Sequence, residues 1–114
     1  MPRTMIISQG AAFMTDALTK NLTQSGFETV RVDPTLKAIE KERKNTDIYL
    51  MYAGDYVTES SDVLIYLKDI CAEDEKSLCI IGQTVEIEAI RAVIPDTLIS
   101  LEVTRPFDIK KFIE

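Results

Sequence analysis

Asp47-Ile48-Tyr49-Leu50-Met51-Tyr52 carries apolar or aromatic side chains at five consecutive positions after a single acid. Side chains of a strand alternate between faces, so a run with no polar face is buried on both sides, as in the centre of a parallel sheet. The run ends on a phenol, Tyr52, at the edge where the chain turns into the loop Ala53-Gly54-Asp55-Tyr56.

The same texture extends outward in both directions. Thr4-Met5-Ile6-Ile7-Ser8 reads as a first buried strand, followed by the turn Ser8-Gln9-Gly10. Met14, Ala17, Leu18 and Leu22 fall at helical spacing, Asp16 lies near the positive end of that helix, and Gly26 supplies its stop, which predicts a first helix over about 11 to 25. Glu28 to Val32 is a short second strand. Thr35 to about Lys44 is a weak second helix, with Leu36 and Ile39 expected as its core contacts.

Beyond the central run, Val63, Leu64, Leu67, Ile70 and Cys71 mark a third helix, and the polar stretch Ala72 to Lys76 leads back to the sheet. Leu78 to Ile81 is a fourth strand ending at Gly82. Thr84 is the expected N-cap of a fourth helix, with Val85, Ala89, Ile90 and Val93 facing inward and Pro95 beyond its end. Leu98 to Thr104 holds a fifth strand, and Arg105-Pro106-Phe107-Asp108 opens a last helix. Short apolar runs alternating with amphipathic stretches are the pattern of βα units around a parallel sheet. With only about two turns to residue 114, that last helix suggests the N-terminal part of a longer chain.

The chain has 114 residues, enough for one domain with a single core. Its net charge of −6 supplies no Lys/Arg excess to offset phosphate, which argues against an autonomous nucleic-acid or anionic-membrane binder. Lys37, Lys41, Arg43 and Lys44 are interleaved with Glu40 and Glu42 and read as a solvated helix face. There is no histidine, which removes the commonest general base and metal ligand. Cys71 and Cys79 sit among apolar neighbours and suit reduced, buried thiols. No run reaches the roughly 18 apolar residues of a membrane span, so a soluble cytoplasmic protein is expected.

Five βα units, a polar turn after the first strand and the string Thr104-Arg105-Pro106-Phe107-Asp108 together resemble the receiver domain of bacterial two-component response regulators. The string is similar to that family's Lys-Pro-Phe-Asp signature after strand 5. The resemblance spans essentially the whole chain. It implies a flavodoxin-like (βα)5 fold, a doubly wound five-stranded parallel sheet in the order 2-1-3-4-5.

Carried over position by position, the resemblance implies a degenerate site, a pseudo-receiver. Ser8 and Gln9 stand where two acids would hold magnesium, Tyr52 where an aspartate would accept phosphate, and Gly82 where a hydroxyl would read it. Only the lysine position keeps its charge, as Arg105, and Glu102 falls near the aromatic switch position. A phenol of pKa about 10 is neutral near pH 7 and is no substitute for a carboxylate toward a hard cation. Tyr52 is read as a plug, its hydroxyl bonded to Arg105, Gln9 or water, and not as a modification site. Arg105 reads first as a structural ion pair or a partner stacked on Tyr52, second as an anion clamp.

The expected function is therefore a signalling domain that is no enzyme and needs no cofactor or metal, acting as a protein-interaction or dimerisation module. Its partner is a protein or a second copy, through the face of helix 4, strand 5 and helix 5. That face is similar to the one receivers use for dimerisation and here includes Glu86, Glu88, Arg91, Glu102 and Lys110. The alternative is a phosphorelay receiver accepting phosphate at Asp55, although Gly54-Asp55 is ordinary turn chemistry. A flavin mononucleotide protein ranks last, because Ser8-Gln9-Gly10-Ala11-Ala12 lacks a hydroxyl- and glycine-rich phosphate cradle. Arg105-Pro106 is a candidate cis peptide. Thr58, Ser60 and Ser61 read as capping residues, and Tyr56, Val57 and Tyr66 as a possible apolar patch.

Overall fold

A computed structural model describes residues 2–9, 13–54, 57 and 62–104, apart from the side chains of 13–15. Five strands, β1 (Arg3–Ile7), β2 (Glu28–Val32), β3 (Ile48–Tyr52), β4 (Leu78–Gly82) and β5 (Ile99–Thr104), form one sheet in the order β2-β1-β3-β4-β5. Every neighbouring pair is parallel. Four helices connect them: α1 (Phe13–Gln24), α2 (Leu36–Glu42), α3 (Asp62–Asp74) and α4 (Thr84–Arg91).

The central strands are buried because both of their faces are covered. Met5, Ile7, Tyr49, Met51, Leu78 and Ile80 meet Ile39 of α2, Leu64, Leu67 and Ile70 of α3, and Ile87 and Ile90 of α4. The intervening residues Ile6, Leu50 and Ile81 turn to the other face, against Leu18 and Leu22 of α1. Gly26, at φ +96°, closes α1 as expected, and the Phe27 amide donates to the Leu22 carbonyl at 3.0 Å. That bond satisfies one carbonyl of the last turn, and glycine tolerates the left-handed backbone it requires.

Several helix details differ from the sequence reading. Helix α2 stops at Glu42 and tightens into a 3-10 turn, Arg43–Asn45. Thr35 caps its start by accepting the Ala38 amide at 3.2 Å, which points Leu36 outward, 43% exposed, and leaves Ile39 as the buried anchor. Helix α3 continues to Asp74, so the return to the sheet is shorter than Ala72 to Lys76. The N-cap of α4 is Gln83 and not Thr84; Val85 is then 60% exposed, and Ile87, Ile90 and Ile94 face the core.

Between β4 and β5 the register shifts at Leu78/Cys79. Ser100 is the extra residue; its hydroxyl lies 3.5 Å from the Leu78 carbonyl and 3.5 Å from Cys79 Sγ. Cys71 is buried as expected, whereas Cys79 is only half-buried; both are free thiols. Val57 is also buried, contrary to the expected apolar patch, while Tyr66 is half-buried with its hydroxyl enclosed. Tyr56, the helix expected after residue 105 and the Arg105-Pro106 bond lie outside the described residues. No described helix is long and apolar enough to cross a membrane.

Candidate functional site

The carboxyl ends of β1, β3 and β4 bring Ser8, Tyr52 and Gly82 to one rim, because their strands are neighbours in register. Ile7 pairs with Met51 and Tyr52 with Ile81. Four of the five residues assigned to the degenerate pocket lie on this rim; Arg105 is outside the described residues. Ser8 is buried, its amide donating to the Val32 carbonyl at 3.2 Å, while Gln9 is exposed. Tyr52 is half-buried and packs beside Ile6, Leu18, Leu22, Leu50 and Ile81, on the α1 face of the sheet. Its ring is thus packed against the edge of the core on that side.

Gly82 is where space decides the chemistry. A Cβ there would stand 2.8 Å from Ala53 Cβ and 3.1 Å from Glu86 Oε1. Real Cβ atoms do not approach other atoms that closely, so neither serine nor threonine fits without moving its neighbours. Ala53 is held against the site by its amide, which donates to the Ile81 carbonyl at 2.7 Å. The missing hydroxyl is therefore a consequence of how tightly the β3 and β4 ends close over the start of α4.

Glu86 corrects the sequence reading twice. It was expected on an exposed interaction face, yet it is 7% exposed. Its Oε1 accepts the Gln83 amide at 2.7 Å, so a carboxylate in the first turn of α4 satisfies one of the helix's unpaired amides. The rim is therefore not emptied of acid: a carboxylate returns to it from the helix, engaged in a cap. Sequence signals for this existed in Gln83 and the acid three residues later, the spacing of a capping box.

The rest of the expected interaction face is partly visible. Glu88 is exposed on α4. Arg91 is exposed as well, bridging Asp96 at 2.8 Å and Glu102 at 3.3 Å, which ties α4 to β5. Lys110 lies outside the described residues, as do Asp55, Thr58, Ser60, Ser61 and Gly10-Ala11-Ala12. Among the described residues, no group of three or more His, Cys, Asp or Glu is placed to hold a metal ion.

No protein-family model and no curated protein matches the sequence. Solved structures do. The receiver domain of the response regulator TorR of the TMAO respiratory system superposes with a TM-score of 0.73 at 13% identity, covering 98% of this chain and 91% of that one. The fold is that of response regulator receiver domains. The chemotaxis protein CheY4 of Vibrio cholerae gives a TM-score of 0.69 at 12% identity, covering 99% and 93%. The CheY-like protein TadZ of Pseudomonas aeruginosa gives 0.70 at 14%, covering 99% and 94%. Open α/β sheets in general bind ligands at the carboxyl rim, and the described part of that rim here carries a phenol, a glycine and a carboxylate engaged in a helix cap.

Proposed function

We propose that this chain is a receiver-like signalling module that has given up phosphotransfer, is no enzyme, and acts through contact with another protein. The observation that carries the reading is Gly82, wedged between Ala53 and the Glu86 carboxylate. No side-chain hydroxyl has room there, and Ser8, Gln9 and Tyr52 offer no carboxylate beside it. A phosphoryl group needs cationic or amide partners to neutralise it. At the start of α4, the Gln83 amide is already engaged by Glu86.

The α4–β5 surface is the contact face favoured by this reading. Glu88, Arg91 and Glu102 are exposed there, and Arg91, Asp96, Ser100, Leu101 and Glu102 line an open groove of about 460 Å³. β5 is the edge strand of the described sheet, and the unpaired groups of an edge strand can pair with a partner. A protein occupant fits this mixed, charged groove better than a nucleic acid, given the net charge of −6.

Exposure of the chain to magnesium with acetyl phosphate, or with beryllium fluoride, tests the loss of phosphotransfer. The expected result is no gain in mass and no saturable amide shift at residues 8, 9, 52 or 82–84. A saturable, magnesium-dependent response abolished by Asp55→Asn would overturn the proposal in favour of phosphate acceptance at Asp55.

A further inference from the structure

Helices α2 and α3 lie side by side on one face of the sheet, and their outer surfaces carry opposite charge. The α2 side exposes Lys37 and Lys41, continued by Lys44 in the 3-10 turn, with Glu40 among them. The α3 side exposes Asp62, Asp69 and Glu73, with the half-buried Lys68 among them. Each also shows one large apolar side chain near its start: Leu36, 43% exposed, and Ile65, 44% exposed. Lys37, Lys41, Lys44, Asp62 and Asp69 form no ion pair among the described residues.

The chain already uses this charge match within itself at the far end of the pair. Arg43 reaches from the end of α2 to Glu73 and Asp74 of α3, each at 2.8 Å. The lysines further out have no such acid within reach.

We propose that the α2–α3 face is self-complementary and binds a second copy of this chain. A two-fold axis running along the helices lays α2 of each copy over α3 of the other, so every contact occurs twice. Both helices connect successive parallel strands and so run in the same direction; the bonds of Arg43 to Glu73 and Asp74 set their far ends level, and counting back along both helices sets Leu36 of one copy near Ile65 of the other. In that register Asp69 of one copy falls within a turn of Lys37 and Lys41 of the other, Glu73 falls opposite Lys44, and Asp62 lies just beyond the start of α2. A basic peptide would satisfy α3 and leave the lysines unmatched; an anionic polymer would do the reverse. A second copy answers both helices at once.

Four short helices bury an area at the low end of the range for specific contacts, and each copy carries −6, so the association is weak and salt-sensitive. Sedimentation equilibrium of the chain from about 10 μM to about 1 mM reads it directly. The mass is expected to climb from monomer toward dimer at low salt and to fall back in about 0.5 M salt. The triple substitution Lys37→Glu, Lys41→Glu, Lys44→Glu is expected to leave a monomer, as is the double substitution Asp62→Lys, Asp69→Lys. An equimolar mixture of these two variants should recover association at least tenfold stronger than either alone, which also shows that both remain folded. Ile65→Ser should weaken the wild-type dimer without altering charge, and Arg91→Glu should leave it intact. A wild-type monomer throughout, or a dimer that both charge swaps leave intact, overturns the proposal.

Discussion

The two ends of the sheet divide polar groups in opposite ways. At the amino end, Arg3 pairs with Glu42 at 3.0 Å, the Arg3 amide donates to Asp47 at 2.9 Å, and Lys76 lies 3.7 Å from Asp47. Arg43 adds its bonds to Glu73 and Asp74. At the carboxyl end, the described termini of β1, β3 and β4 carry Ser8, Tyr52, Ala53 and Gly82, with Glu86 bound into a helix cap, while the ion pair of Arg31 with Asp16 and the acid Asp33 lie to the side, at β2. Among the described residues, the ends of the three central strands thus differ: ionic ties hold the amino side, and packing holds the carboxyl side. Half-exposed ion pairs contribute little each, whereas tight packing is costly to disturb.

That contrast is broken most severely by building a side chain at the carboxyl end. Gly82→Thr is expected to destabilise the fold by about 1 to 3 kcal/mol, through the contacts with Ala53 and Glu86. Urea unfolding should show a lower midpoint at constant m value. Adding Ala53→Gly should recover part of the loss, because it removes the atom 2.8 Å away. Equal losses in the single and double variants would show that the rim is not tightly packed.

An intermediate effect comes from the core between the two ends. Burial pushes the Tyr49 hydroxyl up to about 12, with the nearby Cys71 contributing, and pushes the Cys71 thiol up to about 12. Both folded values lie above the unfolded ones, so the stabilisation is complete below pH 9 and is lost as pH rises from about 9 to 12. The Tyr49 hydroxyl is buried with no hydrogen-bond partner among the described residues. Tyr49→Phe should therefore raise stability at pH 7 by about 1 kcal/mol and flatten the alkaline decline, followed by thermal unfolding at pH 7 and 10.5. A loss of stability at pH 7 would mean that the hydroxyl has found a partner.

The smallest effect belongs to the amino end. The Arg43 guanidinium holds the Asp74 carboxyl below its ordinary value by direct hydrogen bonds. A depressed carboxyl value contributes stability above the unfolded value near 4, lost as pH falls through the folded value. Arg43→Met should remove that acid-side dependence and cost only a slight fall in melting temperature at pH 7. A penalty rivalling that of Gly82→Thr would reverse the ranking of the two ends.

The strands were legible because Met5-Ile6-Ile7, Tyr49-Leu50-Met51 and Leu78 to Ile81 admit no polar face, and element order alone then set Ser8, Tyr52 and Gly82 on one rim. Helix α4 was legible in part. Of the expected inward face, Val85, Ala89, Ile90 and Val93, Ile90 is buried and Val93 packs against the core, whereas Val85 is exposed; Ile87 and Ile94 complete a buried stripe of the same helical spacing, which the position of the sheet selects. Glu86 was misplaced for a related reason: a first-turn acid looks alike whether it faces water or caps its own helix. The closeness of Gly82 to Ala53 joins two strands distant in sequence, and local pattern carries no trace of it.

The thiols leave a practical legacy. With Cys71 raised to about 12 and Cys79 also raised, both by burial, only about one Cys71 side chain in 10⁵ is thiolate near neutrality. Alkylating reagents therefore have almost nothing to attack until the fold opens. The rate at which Cys71 is labelled then becomes a clock for opening events.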